Sequence, residues 1–312
     1  MPLSDEHLRR RLRGVAVGLL TPFDEELEIE HHKLAENAQT LAGEGIQTFL
    51  AAANISEYHS LSQRERIAVT ETSVDALSSD ACVLAGVGGS TANALELVEA
   101  YDRIGVDAMM IMPPDHTYLH ERGLLRYYEK LDDATDTPLV PYVRGFDPSV
   151  SYLRDLTHVD GVVGIKYALK DQVKLGAGVD AGADDVVWVD GLAEPYAVGF
   201  WNEGIEGFSA GVSNFRPEVG LALFDALSDS DWERAREIRD ITLPYQNFRE
   251  CTGEDNEIAG AISVSAVKKG LELAGLHGGR VREPIRSLSP ADERTAEEIY
   301  AKLDDDIERV IG

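Results

Sequence analysis

The chain has little cysteine, little lysine and no long apolar run. Two cysteines, Cys82 and Cys251, stand in 312 residues. That number excludes a disulfide framework, and both read as buried small residues of a reducing compartment. The first apolar run, GVAVGLL (14–20), follows a charged stretch. It is too short for a secretory core with its cleavage site, and far too short to cross a bilayer. The expectation is a soluble, cytoplasmic protein with no membrane contact. Basic charge is scarce as well: 29 Lys and Arg against 56 Asp and Glu give a net charge of −27, and only eight of the basic residues are lysine. Phosphate backbones call for a basic surface, so nucleic acid is excluded as a partner. The one basic cluster, Arg9, Arg10, Arg11 and Arg13, reads as a solvated start to the chain. Acid dispersed along the whole sequence points to a salt-rich, halophilic cytoplasm, where screening offsets self-repulsion.

What the chain does have is a regular beat. Short apolar runs alternate with longer amphipathic stretches: GVAVGLL (14–20) then 29–45, IQTFLAA (46–52) then 61–79, CVLAG (82–86) then 91–105, DAMMIMP (107–113) then 121–134. The second half repeats it: PLVPYV (138–143) then 149–157, GVVGIK (161–166) then 169–182, VVWVD (186–190) then 193–204, and IEGFSAG (205–211) then 216–228. The short runs have strand length and the long ones helical periodicity, with Ser62 and Glu65 spaced as a capping box. Eight strand–helix units of similar size specify a parallel sheet closed as a (β/α)₈ TIM barrel over residues 1–228. Residues 229–312 hold three more helical stretches, at 231–251, 259–276 and 289–312, read as a C-terminal helical extension packed on the barrel.

A barrel of this kind carries its chemistry at the C-terminal ends of the strands. Strand two leads into Asn54, Ser56 and Glu57, strand four into Asp115 and His116, strand five into Tyr142 and Arg144. Strand six ends in Lys166 and strand eight carries Ser209. A lysine closing an apolar run has two readings. It pairs with a carboxylate such as Glu57, or it is a desolvated amine whose lowered pKa lets it attack a ketone and form a Schiff base. Tyr142, on the neighbouring strand, is either core or a proton relay for that step.

Around these residues the sequence resembles the dihydrodipicolinate synthase / N-acetylneuraminate lyase superfamily, collinearly from GVAVGLLTPF to VREPIRSLSP. GVVGIKYA places the family's imine lysine on Lys166, and PLVPY places its strand-five tyrosine on Tyr142. TPF (21–23), ISEYHSLS (55–62), LAGVGGST (84–91) and GFSAGVSN (207–214) match further segments. The resemblance implies a class I lyase acting on a 2-keto acid such as pyruvate, without a cofactor, in a homo-oligomer, usually a tetramer. Asn54, Ser56 and Glu57 would shape the carboxylate end, and His116, Arg144 and Ser209 the distal end. Three departures weigh against dihydrodipicolinate synthase activity itself, one being that His116 stands nearest the place of the synthases' second relay tyrosine, after strand four. The strand-two loop reads A-N-I-S-E where the family has G-T-T-G-E or G-G-T-G-E, and Asp147 stands where the synthases carry an arginine. FLAAANISEYHSLS and AISVSAVKKGLELAG resemble instead the branch containing 5-dehydro-4-deoxyglucarate dehydratase, which acts on 2-keto-3-deoxy sugar acids. A barrel that binds a keto acid without turning it over is the rival of another class, motivated by the altered loop.

The remaining motifs are weaker. GVGGS (86–90) lacks the last glycine of a dinucleotide loop. His116 and His120 have zinc-like spacing but no third ligand, so no metal is expected. Ser209 has no histidine placed as its base, which argues against a hydrolase.

Overall fold

A computed structural model describes residues 3–312. Eight parallel strands close in sequence order into one barrel. They are β1 (Val15–Gly18), β2 (Thr48–Ala51), β3 (Cys82–Val87), β4 (Ala108–Ile111), β5 (Leu139–Val143), β6 (Gly164–Tyr167), β7 (Val187–Asp190) and β8 (Gly207–Ser209). Closure comes from the Val15–Phe208 and Ala16–Ser209 register between β1 and β8. The fold is the (β/α)₈ barrel that the alternation predicts.

Side chains alternate across each strand, as the pleat requires. Ala16, Leu50, Leu84, Met110, Val140 and Val187 fill the barrel interior. Val17 and Phe49, and Met109, Ile165 and Trp188, face outward under the helices. The covering helices are α2 (His31–Gly43), α3 (Gln63–Ala76), α4 (Thr91–Ile104), α5 (Glu121–Asp132), α6 (Val150–Leu156), α7 (Gln172–Ala181), α8 (Glu194–Trp201) and α9 (Pro217–Ser228). Several start on a side-chain cap that satisfies an otherwise free amide. Ser62 and Glu65 form the reciprocal box at α3; Ser90, Ser149 and Asp171 cap α4, α6 and α7.

The opening stretch departs from its sequence reading. Asp5–Leu12 is a helix, α1, and not a solvated lead. Its Leu8 and Leu12 are buried in the interior cluster, closing the floor of the barrel. Arginines around them look outward to partners: Arg9 to Asp185, Arg11 to Gln47 and, just past Leu12, Arg13 to Glu206. Cys82 is buried on β3, but Cys251 is exposed, its thiol donating to the Asn247 carbonyl.

Beyond the barrel run α10 (Trp232–Arg249), α11 (Ser263–Leu273) and α12 (Pro290–Val310). Ala235, Ile238 and Tyr245 of α10 and Leu303 and Ile307 of α12 share one apolar cluster with Val15, Phe49 and Phe208. The extension and the barrel thus have a continuous core on that side. Among the described residues no helix is long and apolar enough to cross a membrane.

Candidate active site

Lys166 sits at the C-terminal end of β6, in direct register with Tyr142 on β5. Its ammonium nitrogen lies 4.4 Å from the centre of the Tyr142 ring. Only 8% of the lysine is exposed. Both side chains open into a cavity of about 470 Å³ at the mouth of the barrel, which Asn54, Arg144 and Ser209 also line. The stem of Lys166 is held by close packing on β7's end. A Cβ added at Gly191 would stand 2.7 Å from Ala168 Cβ, a clash, and 3.2 Å from Lys166 Cγ, so it would force Ala168 to shift and crowd the stem.

Electrostatics tune this pair. Burial pushes Lys166 below its ordinary pKa, and the Arg144 guanidinium adds to the effect; the Tyr142 oxygen and Asp190 act against it. For Tyr142, burial alone would raise the phenol. The charges of Lys166 and Arg144 outweigh burial and hold it below its usual range. Arg144 also donates to the Tyr142 hydroxyl at 3.3 Å. Asp190 is wholly buried, and burial pushes it well above the carboxylate range. Its Oδ1 accepts from Leu192 N at 2.7 Å while Oδ2 has no partner among the described residues. Burial thus favours the neutral, nucleophilic amine, and the Tyr142 phenol beside it is eased toward giving up its proton whenever Lys166 carries charge, with Arg144 adding to that pull.

Three predicted site residues lie elsewhere. Ser56 and Glu57 belong to two short 3₁₀ turns after β2, Asn54–Ser56 and Tyr58–Ser60. The Ser56 hydroxyl accepts from Ala53 N at 3.1 Å, inside its own turn. Glu57 points away from the cavity into a buried ion pair with Lys268 of α11, 2.6 Å long and with both side chains sealed from water. Its other oxygen accepts from Arg282 N at 3.1 Å. The reason is conformational: Glu57 takes φ +62°, a left-handed kink that swings its side chain outward. Glu57 therefore pairs with a lysine, but not with Lys166. His116 lines a separate cavity of about 590 Å³ between the ends of β2, β3 and β4, with Tyr58, His59 and Tyr118. Its Nδ1 accepts from Tyr118 N, and that of His120 from Arg122 N, so both rings serve local turns.

The sequence profile of the "Dihydrodipicolinate synthetase family" matches residues 11–303. The chain belongs to that family. A relative from Bacillus subtilis (strain 168), named "Probable 5-dehydro-4-deoxyglucarate dehydratase", is 26% identical over 94% of this chain and 95% of its own. Another from Natronomonas pharaonis, named "4-hydroxy-tetrahydrodipicolinate synthase", is 28% identical over 93% of this chain and 97% of its own. Among solved structures, a dihydrodipicolinate synthase from Oceanobacillus iheyensis superposes with a TM-score of 0.91 at 28% identity, covering 97% of this chain and all of the other.

In this dihydrodipicolinate synthetase family chain the cavity has contributors that the strand-end search missed. Gln246, Arg249 and Ser263 reach it from α10 and α11, and Lys170 from the loop after β6. Gln246 and Arg249 are three apart on one helix, which is compatible with sharing a face, but nothing in the sequence says that the face meets the barrel mouth. Buried Glu194 anchors this side. It accepts from the amides of Gly211 and Ser213 at 2.9 Å each and from the Gln246 side chain. GVGGS has a packing explanation: a Cβ at Gly86 would fall 2.1 Å from the Ala52 carbonyl oxygen.

Proposed function

We propose that the protein is a Schiff-base lyase that dehydrates, or cleaves, a 2-keto-3-deoxy sugar acid. The single observation that carries this is the buried Lys166 amine in register with Tyr142 inside a cavity. The neutral amine attacks the C2 ketone, and the Tyr142 hydroxyl, held by Arg144, passes the protons needed to expel water from the carbinolamine. The protonated imine then draws electrons from the C3–H bond: the Tyr142 oxygen takes the C3 proton, the enamine expels the C4 hydroxyl as water on receiving that proton back, and water hydrolyses the remaining imine to free Lys166. Asn54 faces the keto-acid carboxylate, with Arg144 and Ser209 along the rest of the chain of carbons. Ser56 and Glu57 act on the site only by shaping the loop that presents Asn54.

The dehydratase branch is favoured by the Bacillus subtilis relative's name and by Asp147, which is tied up in an ion pair with Lys174. The Natronomonas pharaonis relative's name favours a second reading, condensation of pyruvate with aspartate semialdehyde. By family likeness we take the enzyme to be a homotetramer. The net charge of −27 supports a salt-rich cytoplasm as its setting.

The test is borohydride reduction with pyruvate followed by intact mass, then turnover of a 2-keto acid panel with aspartate semialdehyde included, in molar salt. An adduct on Lys166, lost in Lys166→Ala together with turnover of a keto-deoxy sugar acid, is the expected outcome. An absent adduct with turnover intact in Lys166→Ala refutes the lyase. An adduct without turnover of any panel member favours the non-catalytic binder.

A further inference from the structure

The barrel mouth gathers four basic side chains, Lys166, Arg144, Lys170 and Arg249, against one acidic lining residue, Glu250. In a chain with 56 acidic and 29 basic residues such a concentration of positive charge runs against composition. A cavity of that sign focuses anionic ligands. Lys166 is the nucleophile of the proposed reaction, and Arg144 is engaged with the Tyr142 hydroxyl. Lys170 stands at the rim, paired with Glu250 at 3.5 Å and lying over the Tyr196 ring.

Arg249 is different. It is half-buried and lines the cavity, and although Glu194 and Glu250 act on its charge, among the described residues no carboxylate forms an ion pair with it. Neutral acceptors hold it instead. Its Nε donates to the Ser263 hydroxyl at 3.1 Å and one Nη to the Gln246 side-chain oxygen at 3.2 Å. Gln246 is fixed in turn by buried Glu194. Burial lowers the Arg249 guanidinium from its ordinary pKa, with Glu194 and Glu250 acting against that from a distance; starting from so high a value the group keeps its charge, and its planar fork matches a carboxylate. Arg249 is thus aimed and charged, with donor capacity left over.

We propose that Arg249 binds a second carboxylate, at the end of the substrate remote from the ketone, so that the site selects keto-deoxy sugar diacids over the corresponding monoacids. This rests on the lyase reading above and adds a specificity residue supplied by the C-terminal extension. Losing a charge-assisted hydrogen bond of this kind costs about 10- to 100-fold in binding.

The experiment compares kcat/KM for 5-dehydro-4-deoxyglucarate with that for 2-keto-3-deoxygluconate, which carries a hydroxymethyl in place of the distal carboxylate. The native enzyme should prefer the diacid. Arg249→Met should cut the diacid-to-monoacid ratio by about 10- to 100-fold, chiefly through KM, with Arg249→Lys restoring part of it. A native enzyme without preference, an unchanged ratio, or an equal fall on both substrates would overturn the assignment. A measurement free of variants guards against misfolding. In the native protein 2-oxoadipate should protect Lys166 from pyruvate-dependent reduction at a concentration at least about tenfold below that of 2-oxohexanoate; equal protection also overturns it. An absent pyruvate adduct on native Lys166 refutes the parent reading, whereas an adduct with an unaltered ratio refutes only the role of Arg249.

Discussion

Replacing Lys268 by Met should unfold the protein more readily than any surface change. Lys268 Nζ lies 2.6 Å from Glu57 Oε1 and donates to the Thr21 carbonyl at 2.8 Å and to the Arg280 carbonyl. The two side chains are 3% and 0% exposed, so the pair is not reached by solvent. Removing the lysine leaves a carboxylate buried with only the Arg282 amide, and breaking a buried pair this way costs about 3–5 kcal/mol. Unfolding entropy of about 2.1 cal/mol/K per residue sums to roughly 0.65 kcal/mol/K for this length, so the melting temperature should fall by about 5–8 °C. Calorimetry in low and molar salt measures it. The fall should persist in high salt, because screening does not reach a sealed pair. Glu57→Gln combined with Lys268→Met should recover much of the loss, since no orphan charge remains. A drop smaller than about 1.5 °C, or a double variant less stable than Lys268→Met alone, would refute the reasoning.

Four further outcomes follow from the site and the floor. Rapid-quench borohydride trapping of pyruvate should speed up with pH and level off below the pH expected for an ordinary lysine, near 10.4, because the attacking amine must be neutral and its pKa is lowered. Arg144→Leu removes a cation that lowers Lys166, so the rising limb should move to higher pH; a shift to lower pH contradicts the assignment. Gly191→Ala should slow adduct formation by up to about 100-fold by displacing the Lys166 stem, read by intact mass against time, while an unaffected rate would show that the stem yields freely. Leu8→Ala should cost about 2–5 kcal/mol in urea unfolding, whereas a value near zero would mean that α1 does not close the floor.

The barrel was legible because burial alternates so regularly: each short apolar run is a strand covered on both faces, and each amphipathic run is a helix with one buried stripe. Lys166 was legible for the opposite reason, as a charge ending such a run. What sequence could not show depends on single residues or on distant contacts. Helix α1 seals the floor with only Leu8 and Leu12, four apart among arginines, too sparse a pattern to separate from a solvated lead. Glu57 is turned away from the cavity by one left-handed residue, its own, which has no periodic signature. Arg249 enters through tertiary packing of α10 against α8 and α9, a relation that local pattern does not encode.

The two ends of the cavity come from different stretches of chain. The Lys166 amine stands on a strand of the closed barrel, where its register with Tyr142 is set by backbone hydrogen bonds. The far wall hangs from the last turn of α10 and the first of α11, steadied by Glu194 through one glutamine. On this arrangement edits to the tail can reshape the far wall while the closed barrel and its Lys166–Tyr142 register stay as they are.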